Sequence, residues 1–178
     1  HDAGATETQD LAASMATAVA YLRAMTAAGM EINDACRQIA FTYSLDADQF
    51  LSLCKLRAAR KLWNRVAEAC GASEPARAMK QHAITSTRMM TRYDPWVNML
   101  RGTVACFAAA TGGADSITVQ PFNAMIGLPD ELGRRVARNT QIVLSEESNL
   151  PRVIDAGGGS WYIESRTDEL ARAAWAEF

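Results

Sequence analysis

Apolar residues recur along this chain at two spacings, one helical and one alternating, and their succession sets out a sequence of elements. Leu11, Met15, Val19 and Leu22 fall on one helical stripe, which predicts a helix from about Thr6 to Ala28, ended by Gly29. Ile39, Phe41 and Tyr43 alternate with smaller residues, so Arg37 to Tyr43 reads as a strand. Asp46 then stands where an N-cap is expected. Leu51, Cys54, Ala58, Leu62 and Val66 form a second helical stripe that stops near Gly71, and Ser73 to Arg77 is a proline-containing connection. His82 to Thr87 is β-prone. Asp94-Pro95 is placed to cap a helix with Met99, Thr103, Val104 and Phe107 inward and Gly112-Gly113 at its end. Ser116 to Gln120 reads as a short strand, and Asn123 to Leu128 as a turn or a short helix. A basic amphipathic helix follows Pro129, with Leu132, Val136, Thr140 and Val143 inward. Trp161 to Glu164 reads as extended, and a last helix starts near Thr167.

Helices and strands therefore alternate with short connections, the pattern of an α/β fold with a parallel sheet. The winding is either a doubly wound sheet or part of a (β/α) barrel, and the strands are too few to close a barrel alone. The 178 residues suffice for one domain with a sizeable core. A net charge of −2 gives no electrostatic footprint for nucleic acid or an anionic membrane surface. No apolar run reaches the length of a membrane span. The chain begins at His1 and shows no signal peptide, so a fragment or a processed product is expected, and its location is expected to be cytoplasmic. Its four cysteines, Cys36, Cys54, Cys70 and Cys106, lack CxxC spacing and read as small buried thiols in a reducing compartment.

Catalytic signatures are sparse. Gly157-Gly158-Gly159 has no Lys-Ser/Thr after it and opens onto an aromatic segment, so it reads as a structural turn and not a phosphate loop. Arg57, Arg60, Lys61 and Arg65 recur at helical spacing, as on a solvated or salt-bridged face, with a subunit contact as the alternative. Glu146-Glu147 reads as a solvated pair. The two histidines are His1 and His82, and a lone His in a strand is more often a structural hydrogen-bonding group than a ligand.

As a string, the sequence is more distinctive. His1-Asp2-Ala3-Gly4-Ala5-Thr6, Lys55-Leu56-Arg57-Ala58-Ala59-Arg60-Lys61-Leu62-Trp63, Thr85-Ser86 with Asp94-Pro95, Gly127-Leu128-Pro129, Ala137-Arg138-Asn139-Thr140-Gln141, Arg152-Val153-Ile154-Asp155 and Gly158-Gly159-Ser160 follow one another in order. Together these stretches resemble the substrate barrel of the methylmalonyl-CoA mutase family, most like its small (β) subunit. The resemblance implies the C-terminal half of a (β/α)8 barrel over residues 1–178, without the cobalamin-binding domain and its Asp-x-His-x-x-Gly motif. It implies interconversion of methylmalonyl-CoA and succinyl-CoA by a complex that uses adenosylcobalamin, with none bound by this segment. The implied partner is the large subunit, and an acyl-CoA ligand is compatible. In such a barrel the CoA arm threads along the axis, which calls for small polar side chains where ordinary barrels pack Val, Ile and Leu.

Departures from the family pattern point to a partner rather than a catalyst. Ile84 stands where active chains have Gln, Thr87-Arg88-Met89 replaces Gly-Trp-Ser, Thr118 replaces a His, Pro121 replaces a Ser, and Asp155-Ala156-Gly157 replaces Asp-Pro-Trp. Each lost grip on a buried thioester or amide costs about 1–3 kcal/mol. The resemblance thus implies a degenerate substrate pocket at Lys80, His82, Thr85, Thr118 and Gln120, and no metal ligand. His1 is the one catalytic candidate: with a short gap it matches the family's His, and without the gap a neighbouring Gln. The rivals are an active acyl-CoA mutase with altered substrate and a free-standing half-barrel that binds a CoA ester or regulates the mutase.

Overall fold

The computed structural model describes residues 1–178. Helix α1 spans Glu7–Ala27 and starts at a capping box, in which Thr6 accepts from the Gln9 amide and Gln9 answers to the Thr6 amide. It buries Leu11, Met15, Ala18 and Leu22 and ends where Gly29 takes φ +90°. A short helix α2, Ile32–Gln38, occupies the start of the expected first strand, so β1 covers Ala40–Leu45 instead of beginning at Arg37. Helix α3 runs from Gln49 to Ala69. Its N-cap is Asp48, which accepts from the Leu51 amide at 3.0 Å. Asp46, the expected cap, lies two residues too early and is engaged elsewhere.

Strand β2 is Lys80–Thr85 and β3 is Ser116–Thr118, joined by α4, Val97–Thr111. The three strands are parallel in the order β1-β2-β3, with Thr42 opposite His82 and His82 opposite Ser116. Each strand adds beside the last without reversal. Phe41, Tyr43, Leu45, Gln81, Ala83 and Thr85 are buried beneath the helices, whereas the alternate residues stay open. A doubly wound sheet would reverse its strand order and cover both faces. This sheet does neither, so its winding is that of part of a (β/α) barrel.

Helix α5, Glu131–Ile142, is capped by Asp130, whose carboxylate accepts from the Gly133 amide at 2.7 Å. Helix α6 spans Trp161–Glu177 and returns to pack on α1 and α3. It begins at Trp161, so the segment read as extended is its first turn. Ile163, Thr167, Leu170, Ala171 and Ala174 form a buried stripe, and this packing overrides the local β preference of Trp-Tyr-Ile.

The inward faces of α4 and α5 differ from the expected ones. In α4 the buried residues include Asn98, Gly102, Ala105, Cys106, Ala108 and Ala109, while Thr103 is exposed and Met99, Val104 and Phe107 are half-buried. The helix begins after Trp96 with no side-chain cap, so Asp94 does not serve as one. In α5 Gly133 and Ala137 turn inward, Leu132 and Val143 are exposed, and Val136 and Thr140 are half-buried. Close approach explains both. A Cβ on Gly112 would lie 2.9 Å from Leu56 Cδ1, and one on Gly133 would lie 2.2 Å from Asn123 Oδ1. Small residues mark the contact lines, and the larger apolar residues are displaced to the flanks.

Behind the sheet lies a core of 27 buried residues, with Trp63 edge-on to Phe41 at a centroid distance of 5.0 Å. Arg60 donates to the carbonyls of Gly112 and Gly113 and to Gln81, closing the carboxyl end of α4. Arg57, Lys61 and Arg65 form salt bridges with Asp155 and Glu164, Asp168, and Glu68 respectively. Cys36, Cys54 and Cys106 are buried. Cys70, at the end of α3, is exposed, against the expectation of a buried thiol, because it lies beyond the helix's last buried turn. No helix is long and apolar enough to cross a membrane.

Candidate functional site

Period-two alternation puts Ala40, Thr42 and Ser44 of β1, Lys80, His82 and Ile84 of β2, and Ser116 and Thr118 of β3 on the open face of the sheet. All but Ile84 are small or polar. His82 sits at the centre, its Nδ1 2.8 Å from Ser116 Oγ and its Nε2 3.2 Å from Thr118 Oγ1. The Lys80 ammonium donates to the Arg37 carbonyl at 3.5 Å. Of the five expected pocket residues, this face brings together Lys80, His82 and Thr118. Thr85 points the other way and is 2% exposed, its hydroxyl accepting from the Gln120 amide at 2.8 Å. Gln120 lies half-buried beyond the end of β3. These two residues therefore join the ends of β2 and β3 through the backbone, behind the open face.

At the carboxyl ends of β1 and β2 the chain's first residues lie across the sheet. The His1 ring is 2.9 Å from Asp46 and 3.2 Å from Glu7, with its side chain 4% exposed. The Asp2 carboxylate accepts from Ser44 Oγ at 2.8 Å and Ser86 Oγ at 2.5 Å. Arg88 donates to the carbonyls of His1 and Ala5, each at 3.2 Å.

Beneath them Lys55 is fully buried, pairing with Glu7 at 2.5 Å and Asp10 at 2.7 Å and donating to the Ser44 carbonyl at 3.1 Å. Its ammonium also lies 5.7 Å from the centre of the Tyr43 ring. Burial raises the Glu7 carboxyl above its ordinary range, outweighing the pull of Lys55. Burial likewise raises Asp46, against the attraction of Arg88. The sequence reading missed this network of Glu7, Asp10, Asp46 and Lys55. One signal was present: Lys55 falls one helical turn after Leu51, on the apolar stripe itself.

The triple-glycine stretch is a turn. The Gly158 amide bonds the Asp155 carbonyl at 2.8 Å, and Arg57 ties Asp155 and Glu164 to α3. The two carboxylates beside it oppose a phosphate. Glu146 and Glu147 are exposed, as read from the sequence.

A sequence model of one protein family, described as Methylmalonyl-CoA mutase, matches residues 1–178. The chain belongs to the methylmalonyl-CoA mutase family. It is 58% identical to the methylmalonyl-CoA mutase small subunit of Streptomyces virginiae over all of this chain and 29% of that protein. The small subunit of Propionibacterium freudenreichii subsp. shermanii is 49% identical, over all of this chain and 28% of its own length. The methylmalonyl-CoA mutase large subunit of Porphyromonas gingivalis is 35% identical over 98% of this chain and 24% of its own. The chain thus spans under a third of the length of the curated relatives it matches. Among mutase-family chains, cobalamin is the characteristic cofactor. Here His82 has both ring nitrogens engaged, by Ser116 and Thr118, and the His1 ring is buried with its Nε2 on Asp46. These residues do not fit a cobalt ligand.

Proposed function

We propose that this chain is the C-terminal part of the substrate barrel of a methylmalonyl-CoA mutase small subunit. In this reading it stabilises a catalytic large subunit in the cytoplasm and does not turn over substrate itself. The complex interconverts methylmalonyl-CoA and succinyl-CoA with adenosylcobalamin, and the cobalamin is held outside these residues. One observation carries the non-catalytic assignment. Ile84 and Thr118, which stand where active relatives have Gln and His, are register partners on the open face. Two substitutions thus fall on one spot of the sheet, and an apolar side chain occupies the place of a hydrogen-bonding one. Lys80, His82 and Thr118 remain as the residue of an acyl-CoA pocket, with Thr85 and Gln120 supporting its rim. The full similarity to small subunits over residues 1–178 supports the partner role.

The test is a mutase assay of the full-length protein, alone and with its large subunit, in the presence of adenosylcobalamin. The expected result is turnover only in the complex. Turnover by the full-length small subunit alone would overturn the reading.

A further inference from the structure

We infer that His1–Ala5 is a strap closing the carboxyl ends of β1 and β2, and that Arg88 is the latch that holds it shut. Ligands of parallel α/β sheets bind at the carboxyl ends of the strands. In this chain that position is taken by its own backbone. Asp2 spans the two strands, accepting from Ser44 at the end of β1 and from Ser86 just after β2. Gly4 turns back with φ +104°, its amide bonding the His1 carbonyl at 2.9 Å. The Arg88 guanidinium reaches that same carbonyl and the Ala5 carbonyl, so one side chain grips both ends of the turn. Ser86 couples the two devices, since its hydroxyl also accepts from the Arg88 amide at 3.1 Å.

The chemistry suits closure. A planar guanidinium offers several N–H donors in fixed directions, which matches two carbonyls presented side by side. The Trp that active relatives carry at this position cannot make that pair of bonds, because an indole has one donor. The strap also brings the Asp2 carboxylate beside Ser44, on the open face next to Ile84. An anionic thioester ligand approaching that end meets a negative charge in place of a grip. This ligand-excluding consequence rests on the scaffold reading above; the latch itself rests on the contacts alone.

Hydrogen exchange on the full-length protein and its Arg88→Ala and Ser86→Ala variants tests the latch. Exchange at Gly4 is expected to speed at least about tenfold in both variants, while Thr42 and Tyr43 in β1 keep their protection. Unchanged exchange at Gly4 in Arg88→Ala overturns the latch. Equal acceleration at Gly4 and in β1 also overturns it, because the strap would then be no separate unit. Calorimetry with coenzyme A on the unaltered small subunit distinguishes the two readings. Saturable binding there defeats the ligand-excluding consequence and leaves the latch to be judged by exchange.

Discussion

The two faces of the sheet use the same strands to opposite ends. On the helix side Phe41, Tyr43, Leu45 and Ala83 interlock with Trp63, Leu56 and Ala59, and shape decides what fits. On the open side His82, Ser116 and Thr118 meet through hydroxyls and ring nitrogens with little burial. Alternation along a strand separates these roles residue by residue, so the open face can lose its chemistry while the fold persists. A family can in this way keep a scaffold and abandon a pocket.

The comparison breaks most visibly at the packed side. Trp63→Ala should lower stability by about 3–5 kcal/mol, read as a shift in the denaturation midpoint of the full-length protein. Lys55→Met should cost about 3 kcal/mol, because it strands Glu7 and Asp10 beside one another without their cation. Protonation of Glu7 keeps that loss at the low end of the range.

A pH series sharpens the same point. Burial raises the Glu7 pKa, so its contribution to folding is fully present below the ordinary glutamate range and is lost as pH rises through the raised value. Glu7→Gln should therefore remove one falling component from the stability profile as pH rises above the ordinary glutamate range. An identical slope in the two proteins would show that Glu7 does not titrate in that window. On the open face, His82→Ala should change stability by less than about 1 kcal/mol, since its two partners are themselves exposed. The smallest effect is expected for Thr118→His, which should leave the full-length small subunit without turnover because Ile84 and Arg88 are still in place. Substantial recovery of activity would mean that the pocket is nearly whole.

Much of the architecture was readable along the chain. The stripe of α1, its Thr6 start and its Gly29 end are local signals, and so are the alternation in β1 and the β-prone residues of β2. What was misread depends on partners distant in sequence. The contact lines of α4 and α5 are marked by Gly112 and Gly133, which carry almost no hydrophobic signal yet permit the closest approach. Asp46 and Asp48 are equally good caps by composition. The choice falls to Asp48 because Asp46 is engaged with His1 and its own amide bonds Ser52 Oγ. The open-face residues could be named from family resemblance, whereas the cluster around Lys55 could not. Its members come from the first ten residues, the turn after β1 and the first third of α3, and no single periodicity links them.

Helix α6 folds back against α3 and against α1, which lies at the other end of the sequence. On the ribosome, α1 must therefore wait for residues beyond 160 before its greasy stripe is fully covered, a long interval of exposure for an Ala-rich amphipathic segment. Truncation near Ser160 should yield a sticky, chaperone-dependent product even though every strand of the sheet has already been made.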